Sequence, residues 1–451
     1  MKQVIVTSLS LLATAMAQQV GTETPETHPP LTWKDCSSGT CSDVQGSVVV
    51  DANWRWVHEV GGYENCYDGN DWTGLCTGAD DCAKNCAVEG ENYATTYGIT
   101  TSGNALRLNF VTEHQYGTNV GSRTYLLQDD ETYQMFTLLN NEFSFTVDLS
   151  TVECGINSAL YFVPMKPDGG KSDEPNNAAG AKYGVGYCDS QCARDLKFVN
   201  GKGNIEGWTP SATDPASGVG NLGACCAEID VWESNAWSYA LTPHGCEDNN
   251  YHVCGDGAIE CGGTYSEDRF AGKCDANGCD YNPYRLGNPE FYGKNKVVNT
   301  NEPFTVVTRF SPNELSTTFI QNDEVIEVPV PNSEGVPSDS NTVNPEYCTA
   351  YNIAWDERDR QAEIGGFGAL NSALALPMVV VLSIWADHYA NMLWLDSIYP
   401  PEDPTKPGAA RGACPTDSGV PSAVIAQNPS AHVVWSDIRY GPIGSTYDIP
   451  A

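Results

Sequence analysis

The cysteine content constrains the fold of this chain more than any other feature. Eighteen cysteines run from Cys36 to Cys414 without a compositional break. They follow a leader, residues 1–17, that has Lys2 near its start, an apolar stretch and the small-x-small ending Ala15-Met16-Ala17. This pattern predicts a secretory signal peptide, and therefore a secreted, extracellular protein. In an oxidising compartment, an even number of cysteines predicts up to nine disulfides.

Zinc binding is the alternative use of these cysteines. Two spacings resemble those of zinc ligands, Cys82-x3-Cys86 and Cys188-x3-Cys192, but no paired histidines accompany them. Structural zinc sites commonly combine such spacings with further cysteines or histidines in a fixed pattern. We therefore expect disulfides here, and no metal or other cofactor.

The charge of the chain restricts its partners. There are 58 Asp and Glu against 23 Lys and Arg, which gives a formal net charge of -35. A surface with this much negative charge repels phosphate backbones and anionic lipids. We therefore expect no nucleic-acid or membrane partner. The most apolar run, 374–385, is too short to cross a membrane and is better interpreted as a buried strand. Abundant Trp and Tyr suit a neutral ligand.

The hydrophobic pattern predicts an all-β chain. Short alternating runs are separated by clusters of Gly, Asn, Asp and Pro, as in an antiparallel β-sandwich. The runs are 47–51, 142–148, 304–310, 317–321, 378–385 and 432–437. Length alone suggests about three domains, but no linker or internal repeat divides the chain, and large sandwiches reach this size as one domain. We expect a single domain, residues 18–451.

The acidic segment around Glu228 carries the strongest chemical signal. Glu228, Asp230 and Trp232 alternate along a predicted strand and should share one face. Like charges two residues apart raise one another's pKa, which costs stability unless the pair has a function. Glu233 has the wrong parity, so it joins this face only if a β-bulge precedes it. With a bulge, two carboxyls could lie about 5–5.5 Å apart, as in a retaining glycosidase.

The acidic segment is also compatible with two non-catalytic roles. The acids could bind calcium, because carboxylates also ligate hard cations, or they could form a solvated acidic edge. The nearby Trp232, Trp237 and His244 favour a sugar-cleaving groove.

The same segment resembles a known family. The run CCAEIDVWESN, with Glu228, Asp230 and Glu233, is similar to the catalytic signature of glycoside hydrolase family 7, the secreted cellulases typified by fungal cellobiohydrolases. Further matching blocks include ETHPPLTW, GSVVVDANWRW, NEFSFTVD, AGAKYGVGYCDSQCARDLKF, NPYRLGN and YANMLWLDS. The resemblance covers roughly residues 26–445. It implies one catalytic domain over residues 18–451, without a carbohydrate-binding module or linker. The implied fold is a concanavalin-like jelly roll whose long, disulfide-pinned loops form a substrate tunnel.

The resemblance also implies catalytic roles. Glu228 would be the nucleophile, and Glu233 the general acid that later acts as base. Asp230 would hydrogen-bond Glu228 and titrate with it as a coupled pair. His244 would lie near Glu233 on the leaving-group side. These roles need one ionised and one protonated carboxyl at the same pH.

A row of tryptophans is the implied binding path. Trp54 and Trp56 are two residues apart, so on one strand they would share a face. A single tryptophan is more often part of a core, but the family pattern favours a sugar path here. It implies Trp56 at the entrance, Trp54 next, Trp385 just before the cleaved bond and Trp394 just after it.

Polar residues complete the implied path. Those near the reacting sugars would be Asn157, Tyr161, Tyr187, Asp189 and Gln191, and those on the product side Arg269, Asp280, Arg285 and Arg411. Surface ion pairing is the alternative role of the product-side charges.

The resemblance implies nine disulfides. They would be Cys36–Cys41, Cys66–Cys86, Cys76–Cys82, Cys154–Cys414, Cys188–Cys226, Cys192–Cys225, Cys246–Cys274, Cys254–Cys261 and Cys279–Cys348. The adjacent Cys225 and Cys226 would thus pin the catalytic strand to the Asp189 and Gln191 segment.

This chain departs from the fungal pattern at several points. Ala87 replaces a cysteine of a further pair, Asn277 replaces an Asp on the product side, and His388 replaces a Tyr. Segments 113–118 and 348–372 differ most, which affects how the loops close.

The leading function is retaining hydrolysis of β-1,4-glucosidic bonds in cellulose, with release of cellobiose from reducing ends. The long loops 208–223, 246–278 and 399–413 favour such a cellobiohydrolase over an endoglucanase, in which the family trims them. A non-catalytic lectin would not need both Glu228 and Glu233. We expect the protein to be a monomer that binds cellulose and cello-oligosaccharides.

Overall fold

The computed structural model describes residues 18–174, 176–256 and 259–447. The expected signal peptide, residues 1–17, lies outside the described residues. None of the helices in the described ranges has the length and hydrophobicity needed to cross a membrane.

One large sheet of 16 strands dominates the described structure. Its strands are β1 (Pro30–Asp35), β2 (Ser42–Val50), β3 (Ile99–Ser102), β4 (Ala105–Asn109), β5 (Ser122–Asp129), β6 (Thr132–Tyr133), β7 (Met135–Phe136), β8 (Asn141–Asp148), β9 (Ile156–Val163), β10 (Glu228–Ser234), β11 (Tyr239–His244), β12 (Phe304–Ser311), β13 (Glu314–Gln321), β14 (Glu324–Glu327), β15 (Met378–Ala386) and β16 (His432–Pro442). All six alternating runs identified in the sequence fall within or along these strands, which confirms the all-β prediction.

Hydrogen bonds link twelve of these strands in the order β11-β10-β9-β15-β5-β2-β1-β16-β8-β12-β13-β14. The remaining four pair at the sides of this path: β6 with β5, β7 with β15, β3 with β4, and β4 with β16. Within this sheet the pairs are antiparallel except β1 with β16, where two strands from opposite ends of the chain run parallel.

The path folds back to make a sandwich. Phe143 on β8 packs edge-on against Phe162 on β9, with ring centroids 4.9 Å apart, although these strands lie far apart along the path. Because side chains alternate along a strand, the opposite face of β9 carries Tyr161. That face forms a second buried cluster with Tyr125, Val381 and Tyr187. The second face therefore supports the site, while the first face forms the core.

Helices and short strands lie outside this sheet. The helices are α1 (Ala79–Asn85), α2 (Tyr93–Tyr97), α3 (Pro345–Ala354), α4 (Arg360–Glu363), α5 (Gly366–Leu374), α6 (Leu393–Asp396) and α7 (Pro421–Gln427), with 3-10 turns at Ala52–Trp54 and Ala181–Tyr183. The short strands are Gln19–Val20, Val57–Glu59, Tyr67–Asp68, Asp71–Trp72, Cys86–Val88, Val111–His114, Gly117–Val120, Phe198–Val199, Lys202–Gly203, Thr209–Pro210, Gly218–Val219, Gly223–Cys225, His252–Cys254, Tyr292–Gly293 and Val298–Asn299.

All nine expected disulfides are present with the expected partners. No cysteine in the described ranges is free. Ala87, which replaces a fungal cysteine, pairs in register with Gln19 in a parallel bridge between short strands. Backbone hydrogen bonding thus attaches the start of the described chain where the family often uses a disulfide.

Candidate active site

The bulge predicted in the acidic segment is present in β10. On the side of β9, Leu160 lies opposite Trp232 and Tyr161 opposite Asp230, which leaves Val231 as the extra residue. The register with β11 also shifts between Asp230 and Glu233. An extra residue changes the parity of the residues after it, so Glu233 can share a face with the earlier acids.

The bulge also corrects one expectation. Strand alternation predicts Trp232 on the face of Glu228, but Trp232 is fully buried in the main core. Its ring stacks on Tyr239 at a centroid distance of 5.2 Å. The physical reason is that the bulge falls at Val231, before Trp232 rather than after it. Trp232 therefore packs in the main core, on the face of β10 opposite the acids.

Glu228 is buried and receives two hydrogen bonds from one residue. The Ser190 backbone N–H and hydroxyl both donate to Oε2 of Glu228, at 3.1 and 2.6 Å. Hydrogen bonds to a charged acceptor are stronger than those between neutral groups. Ser190 therefore stabilises the ionised form that a nucleophile needs.

Asp230 lies between Glu228 and His244. Burial, then the charge of Glu228, raises the pKa of Asp230 well above its usual range. His244 Nε2 is 3.0 Å from Oδ2 of Asp230, and its Nδ1 is 2.7 Å from the carbonyl oxygen of Asp275. A carbonyl only accepts, so Nδ1 carries a proton. The resemblance places His244 near Glu233, whereas its hydrogen-bonding contact is with Asp230.

A glycine leaves room for the ring of His244. Gly278 has a φ of +68°, and a Cβ at this position would approach the Cε1 atom of His244 to 2.7 Å. Both the backbone conformation and the close contact therefore favour glycine.

Glu233 has the character of a protonated acid. Burial, then the charges of Asp230 and Glu228, raises the pKa of Glu233 well above its usual range. Asn157 donates from Nδ2 to Oε1 of Glu233 at 3.1 Å, while its own Oδ1 accepts from the Ser234 N–H at 2.9 Å. This second bond fixes the amide orientation. The site thus places a carboxyl with a raised pKa on the same strand as a carboxyl that accepts two hydrogen bonds, and a retaining glycosidase needs two carboxyls in such different environments.

A disulfide-pinned segment faces these acids. Cys188 pairs with Cys226 and Cys192 with Cys225, so residues 188–192 are tied to the start of the catalytic strand. Within this segment, burial and then the charge of Glu228 raise the pKa of Asp189 to about 8.

The remaining polar residues of this region also have defined partners. Gln191 donates from Nε2 to the Ala276 carbonyl at 2.7 Å. The hydroxyls of Tyr161 and Tyr187 lie 2.8 Å apart. Asn157, Tyr161, Tyr187, Asp189 and Gln191, all expected near the reacting sugars, therefore lie on the strands and loop that carry or face the three carboxyls.

These contacts bear on the calcium-binding and acidic-edge interpretations of the segment. Glu228 and Asp230 are buried, so the segment is not a solvated acidic edge. Ligand atoms of Glu228, Asp230 and His244 lie within 4.8 Å of one another, a spacing that could hold a metal ion. Hydrogen bonds between these groups and their neighbours account for the spacing without one.

Comparison with known proteins identifies the family. The sequence profile of glycosyl hydrolase family 7 matches residues 20–447. The chain belongs to glycosyl hydrolase family 7. Among solved structures, a Melanocarpus albomyces cellobiohydrolase complexed with cellotetraose is 63% identical at a TM-score of 0.93, covering 96% of this chain and 100% of that chain.

Two further solved structures help to place this family 7 hydrolase. A family 7 cellobiohydrolase from Daphnia pulex is 42% identical at a TM-score of 0.92, covering 95% of this chain and 100% of that chain. The Humicola insolens endocellulase EGI is 35% identical at a TM-score of 0.79, with the same coverage. The overall shape is thus nearer to these two cellobiohydrolases than to this endocellulase.

The expected tryptophan path is only partly as predicted for this family 7 hydrolase. Trp54 and Trp56 do not share a strand. Trp54 ends a 3-10 turn that begins where the Asp51 carboxylate accepts a hydrogen bond from the Asn53 N–H at 2.6 Å. Trp56 follows the turn and precedes the strand Val57–Glu59. The capping of this turn by Asp51 is the physical reason for the difference.

At the other end of the path, two tryptophans lie close together. The ring centroids of Trp385 and Trp394 are 6.4 Å apart, and Trp394 donates from Nε1 to Asp387 at 2.9 Å. Loops meet beside them. Tyr265 packs edge-on against Tyr389 at 5.2 Å, and His388 Nδ1 is 2.8 Å from the Thr213 carbonyl.

Three of the four expected product-side residues, Asp280, Arg285 and Arg411, form one charged cluster with Glu357. Arg285 is buried, donates to Asp280, and places Nη2 2.6 Å from Glu357. Arg411 lies 3.9 Å from both of these carboxylates, and burial, then the charge of Arg285, lowers its pKa to about 10. Because Arg285 is buried, this cluster differs from an exposed ion pair on the surface.

Arg269 lies apart from that cluster. It donates from Nε to Oδ1 of Asn277 at 2.7 Å and from Nη2 to the Ala276 carbonyl at 2.6 Å. The substituted Asn277 therefore still accepts a hydrogen bond, although without the charge of an aspartate.

Three residues were missed by sequence reasoning. Ser190 holds Glu228, and Glu357 joins the product-side cluster. Arg123 places its guanidinium 3.4 Å from the ring centroid of Tyr187 and 5.4 Å from that of Trp54. Only Ser190 had a usable signal, since it lies between two expected disulfide cysteines, beside Asp189.

Proposed function

We propose that this enzyme hydrolyses β-1,4-glucosidic bonds in cellulose with retention of configuration and releases cellobiose from reducing ends. The observation that carries the proposal is the pairing of a protonated Glu233 with a Ser190-stabilised Glu228 across the bulge in β10. Glu233 donates its proton to the leaving oxygen while a Glu228 oxygen bonds to the anomeric carbon. The bond from that carbon to the leaving oxygen breaks. Glu233 then removes a proton from water, whose oxygen bonds to the anomeric carbon as the bond to Glu228 breaks, which releases the sugar and restores both carboxyls.

The surrounding residues support this sequence of steps. Asp230, whose pKa is raised by burial and then by the charge of Glu228, lies between Glu228 and His244, and its charge helps to raise the pKa of Glu233. His244 orients Asp230 through Nε2. The tryptophans and polar residues of the expected path bind the glucan, with Trp385 before and Trp394 after the cleaved bond. Arg269, Asp280, Arg285 and Arg411 hold the product.

Contacts between loops favour exo action. The Tyr265–Tyr389 ring contact and the bond from His388 to the Thr213 carbonyl join loops that follow or face the segment after Trp385, which supports an enclosed path. An endoglucanase with a more open cleft is the second candidate, since a family 7 endocellulase is 35% identical. The two cellobiohydrolases have higher TM-scores, so we favour the enclosed form.

The location and assembly state are part of the proposal. Family membership and nine disulfides support an extracellular enzyme. We propose that residues 1–17 are removed on secretion and that residues 18–451 act as one catalytic domain and as a monomer. Mass spectrometry of the secreted protein and light scattering test these points.

The distribution of new reducing ends between solid cellulose and solution tests whether the enzyme acts at chain ends or within chains. On solid cellulose, an exo enzyme releases most new ends as soluble cellobiose. Mostly insoluble new ends would instead indicate an endoglucanase. Following the anomers by NMR tests retention, and a first-formed α-anomer would refute the mechanism.

Substitution of the nucleophile tests the site. Glu228→Gln should abolish hydrolysis while cello-oligosaccharides still bind, because the amide keeps the size of the side chain but not its charge. Glu324→Gln, an exposed carboxyl on β14, is the matched control. Turnover like that of the wild type in Glu228→Gln would refute the assignment.

A further inference from the structure

An exposed aromatic ring lies beside Trp56, the expected entrance of the tryptophan path. Tyr63 is 71% exposed and follows the strand Val57–Glu59. Its ring centroid is 6.3 Å from that of Trp56, with the two planes tilted by 31°. An isolated exposed aromatic residue needs no explanation, but one that continues a row of rings suggests a longer binding surface.

Two neighbouring side chains fix the orientation of Trp56, one against a face of its ring and one at its edge. The His58 ring stacks on it at a centroid distance of 3.9 Å and an angle of 21°. The indole Nε1 donates to Asn65 Oδ1 at 2.8 Å. His58 is in turn 2.8 Å from Oε2 of the buried Glu89. Trp56 is thus fixed in orientation while remaining only half-buried.

Tyr63 is anchored to the same network. Its hydroxyl donates to the Glu23 carboxylate, and the Glu23 N–H donates to Glu89 Oε2 at 3.2 Å. An exposed ring that is held in place loses less conformational entropy when it binds a ligand. The buried Glu89 carboxylate therefore connects to both rings, to Trp56 through His58 and to Tyr63 through Glu23.

We propose that Trp56 and Tyr63 form an outer glucan site, which binds a glucose ring of the β-1,4-glucan chain one position outward of Trp56. This inference rests on the proposed hydrolysis of cellulose. Continuity with the tryptophan row favours a glucan chain over a protein partner. Sugar rings offer apolar faces to aromatic rings and hydroxyls to nearby acceptors. Glu23 contacts the Tyr63 hydroxyl, and Glu59 and Glu64 are close to Tyr63 in the sequence; these acids can accept such hydrogen bonds and repel polyanions.

The test compares Tyr63 variants on a long and a short substrate. Tyr63→Ala should raise the half-saturating concentration of amorphous cellulose by about 3- to 10-fold, the range expected from one aromatic stacking contact. An aryl cellobioside has only two sugars, so its rate normalises for the amount of active enzyme. Tyr63→Phe keeps the ring but loses the hydrogen bond to Glu23, so its half-saturating concentration should lie between those of the wild type and Tyr63→Ala. Val60→Ala, a 45% exposed residue of the same turn, is the matched control.

The outcomes separate this inference from the proposed function. An unchanged half-saturating concentration in Tyr63→Ala would overturn the outer glucan site, as would an equal loss in Tyr63→Phe. A wild-type enzyme that cleaves neither cellulose nor the aryl cellobioside would instead overturn the proposed function. Thermal melting of Tyr63→Ala should match the wild type because the ring is exposed.

Discussion

Glu26→Gln should destabilise the protein strongly at neutral pH. Arg55 lies between the two entrance tryptophans, and its buried guanidinium donates two hydrogen bonds to Glu26, from Nη1 to Oε2 at 2.7 Å and from Nη2 to Oε1 at 2.9 Å. It also donates to the Val50 carbonyl and, at 3.1 Å, to the Tyr93 hydroxyl. The substitution leaves a buried positive charge without its partner.

The pKa of Glu26 gives the magnitude. Burial opposes ionisation, but hydrogen bonds from His28 and Arg55, and the charge of Arg55, outweigh it and lower the pKa from 4.5 to about 2. At about 1.36 kcal/mol for each pH unit, this difference corresponds to about 3.4 kcal/mol of folding free energy. Removing one partner of a buried ion pair typically costs about 3–5 kcal/mol, which agrees.

The sign of the pH dependence follows from the lowered pKa. The contribution of Glu26 is fully present above 4.5, its value in the unfolded chain, and is lost as pH falls towards about 2. Glu26→Gln should therefore be less stable by about 3–4 kcal/mol at pH 7, and the two proteins should converge near pH 2.

Guanidinium unfolding with disulfides intact, followed by tryptophan fluorescence across this pH range, measures the difference. Asp43→Asn is the matched control, because its ion pair with Lys34 is exposed and should contribute less than about 1 kcal/mol. An equal loss at pH 2 and pH 7, or a loss below about 1 kcal/mol at pH 7, would refute the reasoning.

The remaining predictions concern the catalytic strand. Ser190→Ala should lower kcat by about 10- to 100-fold on an aryl cellobioside, since hydrogen bonds to charged groups contribute about 1.5–3 kcal/mol; a change below twofold would contradict this. Asp230→Asn should move the alkaline limb of the kcat/KM profile to lower pH, because after burial the Asp230 charge is the next cause of the raised pKa of Glu233; an unmoved limb would contradict this. Replacing Cys188 and Cys226 by Ala removes a bridge across 38 residues and should cost about 4 kcal/mol in calorimetry; an unchanged melting temperature would contradict this.

The strands were predictable because each carries its own local signal. Alternation and turn residues marked the strand segments, but not their order. The parallel pairing of β1 with β16 joins the two ends of the chain, and no local pattern contains that information. The disulfides came from family resemblance, since nine pairs cannot be deduced from spacing.

The site was predictable where parity or chemistry acts locally. The parity of Glu233 required a bulge, and the structure contains it. The strand face predicted for Trp232 was wrong, because the parity of Glu233 does not determine where in the segment the extra residue lies. Glu357 was missed because its partner, Arg285, is 72 residues away, and a single surface-type acid has no distinguishing signal.

Two groups of acids contribute to the pH dependence of stability in opposite directions. Glu26 and Glu89 have lowered pKa values, so they stabilise the fold once ionised. Asp189, Asp230 and Glu233 have raised pKa values, so they destabilise it as pH rises. The first group anchors the path entrance, and the second holds the catalytic proton. Because deprotonation of Glu233 removes the general acid as well, the catalytic site loses activity and costs stability over the same rise in pH. The two disulfides at Cys225 and Cys226 counter that cost by fixing the strand on which the charges develop.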